Sequence, residues 1–313
     1  MSSVGLSRGR RLAIVGRAPR QGTLALVGRA LRTRRGALGA TLAAVVVLVA
    51  ALGPFVAPES STSSVGNPFE GPTSGAIFGY DVLGRDVLSR VLHGGWQLLL
   101  VAGAATVVGV GVGTVVGVTA AYFKGVSDGV LMRTADVVLA FPQLVLALLL
   151  VSVAGPSVTL IIFAVALAHT PQVARVVRAA ALDVCERDYV KAIELLRISS
   201  WRVIRGEVVP GVVSVVMVEL GLRLTYSILV IAGLSFLGFG LQPPTPNWGL
   251  MVNENRIGLS QNPWALIVPS ALIAMLTIGM NTFTDALARV MLGVDEIDAA
   301  RTGRTTSPTS ESA

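Results

Sequence analysis

Long apolar stretches separated by short polar ones dominate this chain. A helix needs roughly 20 predominantly apolar residues to cross the hydrocarbon core of a membrane. The segments that are long and apolar enough are residues 37–57, 97–122, 136–155, 157–175, 212–237 and 264–285. The pattern therefore predicts an all-α integral membrane protein with about six transmembrane helices.

Composition supports the membrane class. Hydrophobic residues make up 53% of the chain and charged residues only 14%, whereas charged residues are about 25% of a typical soluble domain. Within the second predicted span a small residue recurs at every fourth position, which predicts close packing against another helix. These residues are Ala105, Gly109, Gly113, Gly117 and Ala121.

Basic residues are distributed unevenly between the predicted loops. Residues 1–36 hold nine arginines and no acidic residue, and the positive-inside rule places such a segment in the cytoplasm. An even number of spans returns residues 293–313 to the same side, where we expect a disordered tail. The loops 58–96 and 238–263 then lie outside, and the loop 176–211, which carries six basic residues, lies in the cytoplasm.

The motifs that are absent exclude several kinds of chemistry. The sequence contains no G-x-x-x-x-G-K-[ST] phosphate-binding loop, so this chain has no ATP-binding site of that type. It contains no H-E-x-x-H or G-x-S-x-G motif, and neither His93 nor His169 has a second ligand at metal-binding spacing. We therefore expect a protein that is not an enzyme and that has no catalytic residue, metal site or cofactor of its own.

Two charged residues lie within the fifth predicted span. Glu219 and Arg223 are four residues apart, so they share one helix face and can partly neutralise each other. One interpretation is a structural ion pair that faces the helix bundle, and the other is a pair that lines a polar pathway. Together with Asn281 of the sixth span, they are the candidate translocation-pathway residues.

The predicted cytoplasmic loop contains an amphipathic pattern. Tyr189, Ala192, Ile193 and Leu196 have the i, i+3, i+4, i+7 spacing of one helix face. A helix with one apolar face and mixed charges elsewhere favours a groove on a protein partner. The alternative is a helix lying on lipid, but five acidic residues in this loop dilute the positive charge that an anionic membrane would attract.

A second short helix is expected to follow in the same loop. Ser199 or Ser200 can cap it, and Trp201 contributes to its apolar side. Pro210 with Gly211 is then expected to turn the chain into the fifth span.

This loop resembles the cytoplasmic coupling loop of bacterial ABC importer permeases. The pattern of that loop is E-A-A, three residues, G, nine residues and then I-x-L-P. The residues in register here are Lys191-Ala192-Ile193, Arg197 and Glu207-Val208-Val209-Pro210. Tyr189, Ala192 and Pro210 fit the family pattern, whereas Lys191 and Arg197 replace its Glu and its Gly.

Further stretches, in the same order along the chain, resemble the C-type permease of the dipeptide, oligopeptide and nickel importers. They are GPFVAP at 53–58, DVLGRDVLSRVLHG at 81–94, MRTADVVLAFPQLVLAL at 132–148 and LSFLGFGLQPPTPNWG at 234–249. The resemblance covers roughly residues 30–292. It implies the architecture of a type I ABC importer permease with a cytoplasmic coupling-helix loop.

Charged residues in the second of these stretches are expected to pair with one another on an outer helix. Such pairing would fix the mouth of the second span, and contact with a delivery protein is the alternative. Trp248, in the last stretch, suits an anchor at the membrane interface. The candidate outer-mouth residues are thus Asp81, Arg85, Asp86, Arg90 and Trp248.

The resemblance implies an ATP-driven importer in the bacterial cytoplasmic membrane. This chain would pair with a homologous second permease, and an extracytoplasmic solute-binding protein would deliver the substrate. Two ATP-binding domains, separate or fused, would bind ATP and Mg²⁺ and push on the helices at 183–205. The implied coupling residues are Tyr189, Lys191, Ala192, Ile193, Leu196 and Arg197.

Peptides are the expected cargo, because no cluster of His or Met residues suggests a path for nickel. Nickel, haem or another small solute are the alternatives within the same machine, and a secondary carrier or a membrane scaffold are the alternatives outside it. The replacements at Lys191 and Arg197 predict that the surface of the partner ATPase is altered to match them.

Overall fold

The computed structural model describes residues 23–292, which are α-helical apart from their connecting segments. The helices are α1 Thr23–Arg32, α2 Arg34–Val56, α3 Val87–Phe123, α4 Gly125–Leu139, α5 Gln143–Ala154, α6 Val158–Cys185, α7 Asp188–Leu195, α8 Ser200–Val203, α9 Val209–Phe236, α10 Trp248–Asn255 and α11 Trp264–Leu292. A π-helical turn, Ile204–Val208, joins α8 to α9, and a 3₁₀ turn, Arg256–Gly258, follows α10. Strand-like pairing in this part of the chain is limited to isolated bridges before α3.

Within residues 23–292, five helical segments are each long and apolar enough to cross a membrane. They are α2, α3, α6, the continuous helix Ser200–Phe236 and α11. The pair α4 and α5 passes the same test together, but a bend of 83° separates the two helices. Counting that pair as one broken span gives six, so the all-α membrane class predicted from the sequence is confirmed.

Close packing of α3 on α6 forms the centre of the bundle. A side-chain carbon added at Gly117 would lie 2.6 Å from the carbonyl oxygen of Ala174, and one added at Gly113 would lie 2.7 Å from Cβ of Val173. The small residues of α3 therefore let the two backbones approach. Helix α9 packs against both, α2 and α11 form one flank, and α4 and α5 form the other flank against α6.

The third predicted span, residues 136–155, is broken in the structure. α4 ends at Leu139 and α5 begins at Gln143. The cause is Pro142, which has no N–H to donate to a helix and which disfavours helical geometry at the preceding Phe141. The predicted span 136–155 is therefore divided between two helices rather than formed by one. The carboxylate of Asp128 accepts two hydrogen bonds of 2.5 Å from Arg178, which ties α4 to α6.

The predicted cytoplasmic loop 176–211 is also more helical than expected. α6 continues to Cys185, and α8 runs through the π-helical turn into α9 without a break at Pro210. The expected turn at Pro210 and Gly211 was therefore wrong. Pro210 directly follows the π-helical turn Ile204–Val208, where the α-helical hydrogen-bond ladder is already interrupted.

Two other predicted boundaries differ from the structure. α3 begins at Val87, inside the predicted loop 58–96, and α2 begins at Arg34, inside the predicted tail 1–36. α2 starts there because Thr33 caps it, its Oγ1 accepting a hydrogen bond of 3.0 Å from the N–H of Gly36. The remaining parts of the predicted tails, 1–22 and 293–313, lie outside the described residues.

Candidate coupling surface and buried polar clusters

Helix α7 is held to the bundle on one face and exposes apolar side chains elsewhere. Val190 is fully buried and belongs to the same apolar cluster as Val184 of α6, and Ile193 packs against that cluster. Leu195 and Leu196 are 85% and 74% exposed, and Tyr189 is also exposed. The exposed apolar residues at the end of α7 are the kind of surface that a protein partner covers.

The predicted coupling residues thus divide into two groups. Tyr189, Lys191, Ala192, Leu196 and Arg197 are exposed, whereas Ile193 is partly buried against the bundle. Leu196 lies just beyond the end of α7 rather than on the predicted helix face. Sequence periodicity missed Leu195, the most exposed apolar residue of this segment, because the i+7 position of the pattern falls on Leu196.

The turn after α7 explains one feature of the motif. Arg197 has a φ angle of +53°, in the left-handed region that glycine adopts most readily. The resembling family has glycine at this position of its coupling loop. The backbone here therefore keeps the geometry that suits glycine, although an arginine occupies the position.

Helix α8 and the π-helical turn connect this surface directly to a membrane helix. Val203, Ile204 and Val208 are buried in the cluster that also holds Val190, whereas Trp201 is 69% exposed. The segment from α7 to α9 is therefore packed as one unit on the end of α6. A force applied at α7 would pass through the turn at residues 196–199 to α8, which runs as an unbroken helix into α9.

Inside the membrane region, the predicted ion pair between Glu219 and Arg223 is present. Arg223 Nε lies 2.9 Å from Glu219 Oε2, and both residues are buried. Arg223 also donates a hydrogen bond to Gln172 of α6, and its guanidinium lies 5.5 Å from the centre of the Tyr226 ring. The pair therefore bridges α9 and α6, and sequence reasoning missed Gln172 because it is distant along the chain.

A second polar cluster lies next to this pair. Ser227 Oγ is 2.9 Å from Thr106 Oγ1 and 3.0 Å from His169 Nε2, so it joins α3, α6 and α9. All three residues are buried. Asn281, by contrast, is exposed on α11, and no hydrogen bond within residues 23–292 links it to Glu219 or Arg223. The structure therefore brings together two of the three predicted pathway residues.

Four charged residues, three of them buried and one partly buried, form an outer charge cluster around the start of α3. Asp81 Oδ2 lies 2.7 Å from Arg85 Nε and 2.5 Å from Arg90 Nη1. Glu254 Oε2 of α10 lies 3.1 Å from Arg85 Nη2 and 2.6 Å from Arg90 Nη1. Charges removed from water in this way are stable only because each has an opposite partner. The outer charge cluster consists of Asp81, Arg85, Arg90 and Glu254.

The structure corrects three details predicted for this region. Asp81 and Arg85 lie in a turn rather than on a helix, and no arginine within residues 23–292 pairs with Asp86. Asp86 instead caps α3, because its Oδ2 accepts a hydrogen bond of 2.8 Å from the N–H of Ser89. Trp248 is fully buried and donates a hydrogen bond of 2.8 Å to the carbonyl of Val91, so it is not an interfacial anchor.

Comparisons with known proteins agree with this architecture. The family model described as binding-protein-dependent transport system inner membrane component matches residues 113–292. Helices α4 to α11, the ion pair between Glu219 and Arg223, and the end of α3 from residue 113 lie in that range. In the part of the chain that the structure describes, no group of three or more His, Cys, Asp or Glu residues is arranged to hold a metal ion.

Several relatives are named as permeases of one transport system. The glutathione transport system permease protein GsiD of Pectobacterium atrosepticum is 37% identical over 219 residues, which are 70% of this chain and 72% of that protein. The GsiD proteins of Escherichia coli and Shigella flexneri are 36% and 38% identical over 263 residues, which are 83% of this chain and 86% of each relative. This chain therefore belongs to the family of binding-protein-dependent transport system inner membrane components, and it is a permease subunit of an ABC importer, as its motifs predict.

Proposed function

We propose that this permease carries di- and oligopeptides into the cytoplasm, paired with a second, homologous permease subunit. Relatives with more than a third of their aligned residues identical are named for transport of glutathione, a small peptide. This supports a peptide cargo over nickel or haem. A solute-binding protein would deliver the peptide, and the family description already names dependence on a binding protein.

The proposed orientation follows the arginine distribution. The end of the bundle that carries α7 would face the cytoplasm together with both termini, because the positive-inside rule favours basic segments on that side. The outer charge cluster and α10 would then face the solute-binding protein. ATP and Mg²⁺ would bind to the partner ATPase subunits on the cytoplasmic side, and this chain would bind neither.

The observation that carries the coupling role is the exposed apolar surface of α7 on a segment continuous with α9. Burying one leucine side chain at an interface contributes about 1.5–3 kcal/mol. Leu195 and Leu196 are both available for such burial. The ATPase would therefore bind these side chains, and its closure would move α9 through α8.

The decisive experiment is ATP-dependent uptake of labelled di- to tetrapeptides into proteoliposomes that hold this permease with its partner subunits. Leu196→Ser should lower uptake and ATPase binding at least about tenfold, as loss of about 1.5 kcal/mol implies. Val126→Ser is the matched control, because Val126 is also an apolar residue and is 84% exposed at the start of α4. Normal uptake and normal ATPase binding by Leu196→Ser would contradict the coupling role.

The two replacements in the motif can be tested in the same assay. Arg197→Gly should remove the cost of a left-handed arginine, about 1–2 kcal/mol, and stabilise the turn. If the partner ATPase is adapted to the basic side chains, the double variant Lys191→Glu with Arg197→Gly should nevertheless lose coupling. Unchanged uptake by that double variant would show that the partner surface makes no use of these charges.

Variants of the buried ion pair separate its two interpretations. Replacing Glu219 and Arg223 together by Gln and Met removes both charges, so it avoids leaving one charge buried without a partner. If the pair lines the peptide pathway, this double variant should assemble normally but transport poorly. If it is a structural pair, any loss of transport should follow a loss of stability. Asn281→Ala tests the third pathway candidate in the same way.

A further inference from the structure

An apolar cleft opens on the surface of the bundle where the end of α3 meets the segment after α7. Its volume is about 390 Å³. Val115, Val118 and Phe123 line one wall, and Trp201, Ile204 and Arg205 line the other. The π-helical turn Ile204–Val208 forms part of the second wall, and π-helical turns are often found at functional sites.

The cleft combines a long apolar wall with one charge. Val115 and Phe123 are separated by eight residues of helix, which span about 12 Å along the axis. Phe123 and Trp201 are 55% and 69% exposed, as aromatic side chains at a membrane interface are. The cleft thus runs from an aromatic rim into the apolar part of the bundle surface.

Arg205 supplies the charge, and nothing in the described part of the chain neutralises it. Arg205 is exposed, and among the side chains that the structure describes no carboxylate forms an ion pair with it. Arg202, next to Trp201 at the rim, is also exposed and forms no ion pair in the same set. A long arginine side chain at this depth extends its guanidinium towards the headgroup region while its methylene groups remain in the apolar cleft.

We propose that the cleft binds one anionic phospholipid of the cytoplasmic leaflet. Its acyl chain would lie along Val115 and Val118, and its phosphate would meet Arg205 beside Trp201. Basic pockets between membrane helices on the cytoplasmic side attract anionic headgroups, which matches the combination seen here. The bound lipid would contact α3 and the π-helical turn together, and so would brace the joint between the coupling segment and α9.

This inference goes beyond peptide transport and uses only the membrane orientation proposed above. The test is photolabelling of the full-length chain in lipid nanodiscs with photoactivatable phosphatidylglycerol, compared with a phosphatidylcholine probe that has the same acyl chains. Peptides are then mapped by mass spectrometry. Phosphatidylglycerol should label residues 114–123 and 201–209 more strongly than phosphatidylcholine does.

Three variants make the test specific. Arg205→Gln should lower phosphatidylglycerol labelling about fivefold, the factor that corresponds to about 1 kcal/mol for one arginine near an anionic surface. Val115→Trp should block the cleft from a position that is 67% exposed, where a larger side chain does not disturb the core. Arg133→Gln is the matched control, because Arg133 is an exposed arginine of α4 that does not line the cleft, and it should leave labelling unchanged.

Several results would overturn the proposal. Equal labelling by the two lipids would mean that the cleft is an ordinary lipid-facing surface without headgroup selection. Equal labelling of Arg205→Gln and Arg133→Gln would remove the role of the charge. Labelling that disappears when the second permease is added would show that the cleft is an interface between subunits. Because photolabelling requires neither ATP nor peptide, its failure would leave the proposed transport function untouched.

Discussion

Replacing Asp81 by asparagine tests whether the outer charge cluster holds its part of the fold together. Asp81 Oδ1 accepts hydrogen bonds of 2.8 Å and 2.9 Å from the backbone N–H groups of Leu83 and Arg85. Asparagine can keep these two hydrogen bonds, because its side-chain carbonyl oxygen is also an acceptor. Its amide group would then face the guanidinium groups of Arg85 and Arg90, and both ion pairs would be lost.

The size of the effect follows from the burial of these charges. Asp81 is fully buried and Arg90 is 1% exposed, so water cannot solvate either side chain when its partner is removed. A hydrogen bond to a charged group contributes about 1.5–3 kcal/mol, and two are lost. Glu254 still contacts both arginines, which limits the loss. We therefore expect Asp81→Asn to lower the free energy of unfolding by about 3 kcal/mol, at the lower end of the range for breaking a buried ion pair.

The assay is denaturant-induced unfolding of the purified protein in detergent, followed by tryptophan fluorescence. Trp248, one of four tryptophans in the chain, packs beside this region and contributes to the signal, which follows global unfolding. Glu59→Gln is the matched control, since it removes the same charge from an exposed position and should cost less than about 0.5 kcal/mol. Adding Arg90→Met to Asp81→Asn should restore part of the lost stability. The reasoning is refuted if Asp81→Asn and Glu59→Gln have the same unfolding free energy.

Two further variants test the packing and the polar centre of the bundle. Gly117→Val should destabilise the contact of α3 with α6 by about 1–3 kcal/mol or more, because the new Cβ would meet the backbone of α6. Gly111→Val is the control and should be tolerated, because nothing lies within 4 Å of its added Cβ. Monodisperse yield and thermal unfolding measure both variants, and equal behaviour of the two would contradict the packing. Ser227→Ala leaves buried polar atoms on two neighbouring helices without their shared partner, and should lower the free energy of unfolding by about 1–3 kcal/mol. Ser152→Ala, at an exposed serine bonded to its own helix, should lower it little in the same measurement. A Ser227→Ala protein as stable as wild type would show that the cluster contributes nothing to stability.

Features set by local sequence were predicted best. The apolar spans, the small-residue face of α3 and the ion pair between Glu219 and Arg223 depend on spacing within one helix, and a single sequence shows that spacing directly. Hydrophobicity alone could not show the break before α5, because the apolar run continues across Pro142. The effect of a proline on its neighbours had to be considered separately.

Features set by distant parts of the chain were missed. Glu254 completes a cluster whose other members lie more than 160 positions earlier, so no local pattern points to it. Trp248 was assigned to the membrane interface because tryptophan is frequent there, but Gly94 and Gly95 of α3 leave room for its ring inside the fold. In both places the outcome depended on which helices become neighbours in the fold, and amino-acid composition does not show this.

The π-helical turn between α8 and α9 connects the two helices and also sets the rotation of α8 about the helix axis relative to α9. Each residue of an α-helix advances the chain by about 100° around the axis. The π-helical turn at Ile204–Val208 is wider and contains one residue more than an α-helical turn. It therefore rotates α8 about the helix axis relative to α9. Deleting one residue there would preserve the helix but rotate α8 relative to α9 by roughly that angle. Under the proposed coupling, the direction in which the ATPase would push on α9 thus depends on the number of residues in this turn.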